Sequence, residues 1–164
     1  MLVPLFKTLV RPILEYANSV WDSSYRNQIN LLEAVQRKYT KHILEAKNLN
    51  YEDRLRCLRL PSLEYRRFRG DLIQVYKIAH KHYDRTSVNN LFKFNQNSRL
   101  RGHRYKLTKF ITKKRKYQHF FSNRIVNSWN SLSEETANSK SLNIFKNNID
   151  KEFEELMYKT NLFQ

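Results

Sequence analysis

Two glycines in 164 residues leave this chain few places to turn sharply. The turns that close tight hairpins need backbone angles that glycine adopts without steric cost, so an all-β fold rich in hairpins is excluded. The same scarcity excludes a glycine-rich phosphate loop. Helix is what remains, and the spacing of apolar residues supports it. Leu2, Leu5, Phe6, Leu9, Ile13, Tyr16 and Val20 recur at steps of three and four, the stripe of an amphipathic helix facing a core. Pro12 interrupts that stripe, so either the helix kinks there or a second helix opens with Pro12 in its first turn.

A second helix is expected over roughly 28–44, with Ile29, Leu32, Val35, Tyr39 and Ile43 as its apolar seam and Gln36 outside it. A short third helix follows, with Asn50 as N-cap, Glu52 and Asp53 in its first turn, and an end before Pro61. Ser62 caps a long helix over about 63–83. Its apolar stripe is Tyr65, Phe68, Leu72, Val75, Tyr76, Ala79 and Tyr83, with Arg66, Arg69 and Lys77 largely on the other side. Residues 84–90 read as a linker. Alternating apolar and basic residues at 91–94 and 103–111 suggest two short strands, a hairpin around 96–102. A helix over about 113–130 carries Tyr117, Phe120, Phe121, Ile125 and Trp129, and a last one covers about 142–158.

Charge is unevenly spread. The chain carries 31 Lys and Arg against 15 Asp and Glu, a net +16. Residues 61–120 hold sixteen of those basic groups and three acids, a net +13. Arg99 to Lys116 has nine basic residues and no acid. Like charges repel within a Debye length of about 8 Å, so a one-signed run is best tolerated when an anion neutralises it. A flexible basic loop is the plainer reading. Phosphodiester chains fit the pattern better, because cations that replace counterions give salt-dependent affinity. Arg99, Arg101, Arg104, Lys106 and Lys109 alternate with His103, Tyr105 and Phe110, a mixture that can hold a backbone and stack on unpaired bases. For Phe110 and Phe120 core packing is the expected fate, ahead of stacking on bases. Lys113, Lys114 and Arg115 open the next helix, where their charge opposes the helix dipole and a bound phosphate would relieve it.

Catalytic chemistry finds no foothold in the pattern. Among five Asp and ten Glu, no two Asp are adjacent and none follows Tyr or Phe in a Y-x-D-D pattern, so the sequence gives no local hint of the carboxylate cluster that two-metal phosphoryl transfer needs. The histidines lack metal-ligand spacing, Cys57 is alone and reads as a packed apolar residue, and no serine sits in a nucleophile elbow. No catalytic residue, metal site or cofactor is therefore expected. No apolar run approaches the ~20 residues that span a bilayer. Lys7 and Arg11 interrupt the first segment, unlike a secretory signal, and a mitochondrial presequence is the remaining targeting reading.

The order of segments resembles a known family. Phe6-Lys-Thr-Leu-Val-Arg-Pro-Ile-Leu-Glu-Tyr-Ala17 with Val20-Trp21, then Leu32-Glu33, Val35-Gln-Arg37 and Thr40-Lys41, is similar to the thumb of non-LTR (LINE-type, jockey and chicken-repeat group) retrotransposon reverse transcriptases. Tyr51-Glu-Asp-Arg-Leu55, the run from Leu60 to Ile78, Ser98-Arg-Leu-Arg-Gly-His103, the run from Phe120 to Leu132 and Phe145-Lys146 resemble the region after that thumb. The resemblance implies a non-catalytic C-terminal fragment of an RNA-directed DNA polymerase, intracellular in nucleus or cytoplasm. It would grip template–primer duplex or element RNA, with the catalytic aspartates on a palm outside this chain. Two departures stand out: one cysteine cannot form the Cys/His knuckle some relatives carry, and Ser133 follows Leu132 where the family often has Leu-Pro. The alternatives are a protein-interaction module docking its apolar first helix onto a separate polymerase core, and a decayed copy.

The expected fold is mostly α. It comprises a thumb-like helical bundle (1–60), a long basic helix (61–83), a linker (84–90) and a basic C-terminal subdomain (91–164) with a minor β element. The expected contacts to RNA or DNA are Arg66, Arg69, Lys77, Arg99, Arg101, Arg104, Tyr105, Lys106, Lys109, Lys113, Lys114 and Arg115.

Overall fold

The computed structural model describes residues 2–22, 25–43, 48–83, 91–95, 102–112 and 115–162, with 115 and 116 described through their backbone alone. The fold is mostly α with one two-stranded sheet. The chain forms two compact units, Met1–Phe68 with Phe153–Gln164, and Arg69–Glu152. The long helix Leu63–Ala79 is therefore shared between units rather than standing alone. The expected linker at 84–90 lies outside the described residues.

In the first unit, helix Leu2–Leu5 runs into a π turn, Phe6–Val10, and then helix Arg11–Glu15. Pro12 sits in the first turn of the latter, where its missing N–H costs nothing. Ala17 takes a left-handed conformation (φ 51°) and separates a further turn of helix, Asn18–Trp21. Phe6 is buried, its ring stacked on Tyr39 at 4.5 Å. The rest of the expected core stripe is not: Ile13, Tyr16 and Val20 are 76 %, 80 % and 84 % exposed. A polar stripe does the docking instead. Glu15 receives the Arg66 guanidinium, with Nη2 at 2.7 Å; Asn18 donates to the Arg67 carbonyl at 3.1 Å; Asp22 accepts from Arg67 Nε at 3.0 Å. Periodicity fixes which residues share a face, not which face is covered.

Helix Arg26–Lys41 also buries polar side chains. Its buried residues are Glu33, Gln36 and Thr40; of the expected seam Val35 is exposed, Ile29, Leu32 and Tyr39 are half-buried, and Ile43, just past the helix, is buried. This corrects the expectation that Gln36 lies outside the packed face. The reason is the start of the long helix, whose free N–H groups need acceptors. Glu33 accepts from Leu63 N at 3.3 Å, Glu64 N at 3.2 Å and the Tyr51 hydroxyl at 2.5 Å. Gln36 donates to the Pro61 carbonyl at 3.1 Å. Burial pushes the Glu33 carboxyl above its ordinary range, opposed by those same donors. Asn50 and Ser62 act as the expected N-caps, accepting from Asp53 N and Tyr65 N. Cys57 ends helix Tyr51–Cys57 exposed rather than packed. Residues 153–162 return to this unit: Phe153 meets Phe68 edge-on at 5.1 Å, and Glu64 accepts from Asn161 N and Leu162 N.

The second unit is built on the C-terminal part of the long helix. Leu72, Val75, Tyr76 and Ala79 are buried, Tyr76 stacking on Phe145 at 4.3 Å and donating to the Ser139 carbonyl. The helix stops at Ala79 rather than Tyr83. Lys81 adopts φ 60° and His82 N reaches back to Lys77 O at 2.8 Å, a Schellman closure without its usual glycine. Strands β1 (Lys93–Phe94) and β2 (Leu107–Thr108) pair antiparallel, Lys93 opposite Thr108 and Phe94 opposite Leu107. The helix expected over 113–130 is broken into Arg115–Gln118, Phe121–Arg124 and Val126–Asn130. Side chains take the carbonyls that a continuous helix would use internally: Asn123 donates to Tyr117 O at 3.5 Å and Arg124 to His119 O at 3.2 Å. A turn of helix not read from the sequence, Glu134–Ala137, is capped by Ser133. The last helix, Leu142–Glu152, ends six residues before the expected Tyr158, and a 3₁₀ turn, Glu154–Leu156, follows it.

Candidate nucleic-acid interface

From Arg85 to Ser133 the chain contains twelve basic residues and no Asp or Glu. Within it, the segment 103–110 is fixed by the segment 123–130 at four places. His103 Nε2 donates to the Trp129 carbonyl at 3.0 Å. The Trp129 indole donates to the Tyr105 carbonyl at 2.8 Å. Asn130 closes a pair of bonds with both backbone groups of Leu107, each 2.8 Å. Asn123 does the same with Phe110, at 3.1 and 3.2 Å. Each asparagine amide acts as a short stretch of neighbouring strand, offering one donor and one acceptor.

These bonds sort the side chains. His103, Leu107 and Trp129 are buried, and Asn123 is buried between Phe110 and Tyr117. Arg104 and Lys109 are exposed, and Lys106 and Tyr105 are partly exposed. The Arg104 guanidinium lies 4.9 Å from the Tyr105 ring centre and donates to its hydroxyl at 3.0 Å. Tyr105 in turn meets His80 at 4.6 Å between ring centres. Among the described residues five rings of this unit stay substantially exposed: Tyr83, Phe94, Phe110 (41 %), Tyr117 and Phe120 (54 %). This corrects the expectation that Phe110 and Phe120 pack in the core. Tyr117 and Phe120 form an edge-to-face pair at 5.2 Å.

The histidine is structural. Its Nε2–H is used, its Nδ1 is buried without a hydrogen-bond partner, and burial holds it below the ordinary imidazole range. Protonation would put an unmatched donor inside the unit.

The remaining site residues fare differently. Arg66 is engaged with Glu15, and Arg69 holds Asp150 by two bonds of 2.6 and 2.7 Å. Both are spent on internal carboxylates. Lys77 is half-buried. Arg99, Arg101, Lys113 and Lys114, and the side chain of Arg115, lie outside the described residues. The structure thus brings Arg104, Tyr105, Lys106 and Lys109 onto one fixed segment. Asn123, Trp129 and Asn130, which place that segment, were missed; the seven-residue Asn spacing facing an alternating strand was the available signal. Among the described residues no group of three or more His, Cys, Asp or Glu is placed to hold a metal ion, and no helix is long and apolar enough to cross a membrane. Comparison with protein-family models, curated proteins and solved structures gives no match for this chain.

Proposed function

We propose that this chain binds nucleic acid without catalysing a reaction, as the thumb-and-beyond portion of a LINE-type reverse transcriptase working inside the cell on template–primer or element RNA. The observation that carries the reading is the acid-free segment around Arg104, Lys106 and Lys109, held in place by hydrogen bonds from Trp129, Asn130 and Asn123. Cations fixed by backbone bonds lose less freedom when phosphates arrive than cations on a loose loop. The absence of carboxylates nearby in sequence leaves phosphate oxygens as the natural counter-charge.

The test is the salt dependence of RNA affinity by fluorescence anisotropy. Replacing Arg104, Lys106 and Lys109 together with Ala should reduce the slope of log K against log salt by about 2 for a single strand. An unchanged slope counts against these residues as phosphate contacts.

One observation favours a second reading, docking onto a separate polymerase core. The first unit turns polar stripes inward and leaves Leu9, Ile13, Tyr16 and Val20 exposed together on helical spacing. A protein that remains monomeric and ignores RNA, but co-elutes with a polymerase palm in gel filtration, would support that reading over the first.

A further inference from the structure

We infer that the second unit recognises unpaired bases: a single strand stacks on the exposed rings of Phe110, Tyr117 and Phe120 while Lys93 and Lys109 hold its phosphates. This rests on the nucleic-acid reading above and narrows it to single-stranded ligand. Three observations lead there.

First, the rings are exposed but not loosely attached. Phe110 is fixed through both backbone groups to Asn123, and the same amide reaches the Tyr117 carbonyl. Tyr117 then packs edge-on against Phe120. One buried side chain therefore ties the backbone at Phe110 to that at Tyr117, whose ring meets Phe120. Second, exposed aromatic rings forgo burial worth having, and they are useful where a flat partner can cover them. Third, the charge along this stretch of chain has one sign, and Asp71, the carboxylate that the fold brings to it, is already paired with Arg124. Lys93 precedes Phe94 and Lys109 precedes Phe110, both lysines are exposed, and no carboxylate occurs between residues 85 and 133. Every nucleobase has a π-face, so rings interleaved with cations hold single strands with little sequence preference. A duplex keeps its bases stacked on each other and offers this surface only phosphates.

The experiment compares strands of equal charge. Anisotropy titrations of the full chain use three probes of about 12 nucleotides, within the usual reach of such surfaces: a thymidine single strand, an abasic strand of the same phosphate count, and a duplex. The base-bearing strand should bind at least about tenfold tighter than the abasic one, a factor typical of a single stacked base. Changing Phe110 and Phe120 to Ala should erase that ratio while leaving the salt slope intact. Equal affinity for the base-bearing and abasic strands overturns the stacking inference and leaves the electrostatic reading standing. Failure of all three probes to bind overturns both. Tighter binding to phosphatidylserine vesicles than to the thymidine strand also overturns it, in favour of a lipid surface. The strand comparison needs no substitution, so a variant that fails to fold does not decide the matter.

Discussion

Replacing Asn130 with Ala should destabilise the second unit by about 2–4 kcal/mol. The figure follows from what the amide does. Leu107 is almost wholly buried, and both of its backbone groups end on Asn130 at 2.8 Å. Alanine leaves a donor and an acceptor stranded away from water, each at about 1–3 kcal/mol. Some relaxation toward solvent lowers the sum, because the unit is small and β2 has only β1 on its other edge. Against a typical domain stability of about 5–15 kcal/mol, such a loss is large. Trp129 is the reporter, since its ring is fully buried in this unit. Urea unfolding followed by its emission, in a Trp21→Phe background, reads the second unit alone. The control is Asn127→Ala, an exposed position on the same turn, which should stay within about 0.5 kcal/mol. Equal effects of the two substitutions would refute the claim that asparagine amides fix the basic segment.

Two further outcomes follow from the same structure. His103 titrates below its ordinary range because it is buried, so the unfolded chain takes up its proton first as pH falls. Stability should fall as pH drops below about 6.5, at no more than about 1.4 kcal/mol per pH unit from this group. His103→Gln keeps a donor for the Trp129 carbonyl and should flatten that dependence between pH 7 and 5; identical pH profiles would refute the assignment. In the first unit, Phe6→Ala should cost about 3–5 kcal/mol because the ring is fully buried on Tyr39. Ile13→Ala should cost under about 0.5 kcal/mol in thermal unfolding, and a loss matching that of Phe6→Ala would show the apolar stripe to be covered after all.

The helix ends were largely readable in the chain because capping is local. Asn50 and Ser62 carry the chemistry of an N-cap in three or four residues, and the structure uses both. The mostly helical class followed from the same local arithmetic. What escaped was tertiary. Leu9, Ile13, Tyr16 and Val20 share a helical spacing in the sequence, but so do Glu15, Asn18 and Asp22; the helix breaks at Ala17, and hydrogen bonds to Arg66 and Arg67 decide which residues face inward. Glu33 and Gln36 were unreadable as packed residues for a related reason: their partners are backbone groups at residues 61–64, 25 to 31 positions away. Tyr117, Phe120 and Trp129 suggested one continuous helix. The breaks arise because Asn123 and Arg124 bond to carbonyls at 117 and 119, a demand no periodicity records. Of the candidate cations, Arg104, Lys106 and Lys109 flank the two-residue strand Leu107–Thr108. Arg66 and Arg69 look the same in sequence, and only the folded positions of Glu15 and Asp150 set them apart.

Lysine footprinting reads directly where a bound strand lies. The full chain is acetylated with and without a saturating single strand, and each lysine is quantified by mass spectrometry. Lys93, Lys106 and Lys109 should be protected, while Lys140, Lys151 and Lys159, exposed elsewhere on the chain, should react as before. Protection spread evenly over all six, or confined to the latter three, would contradict the account.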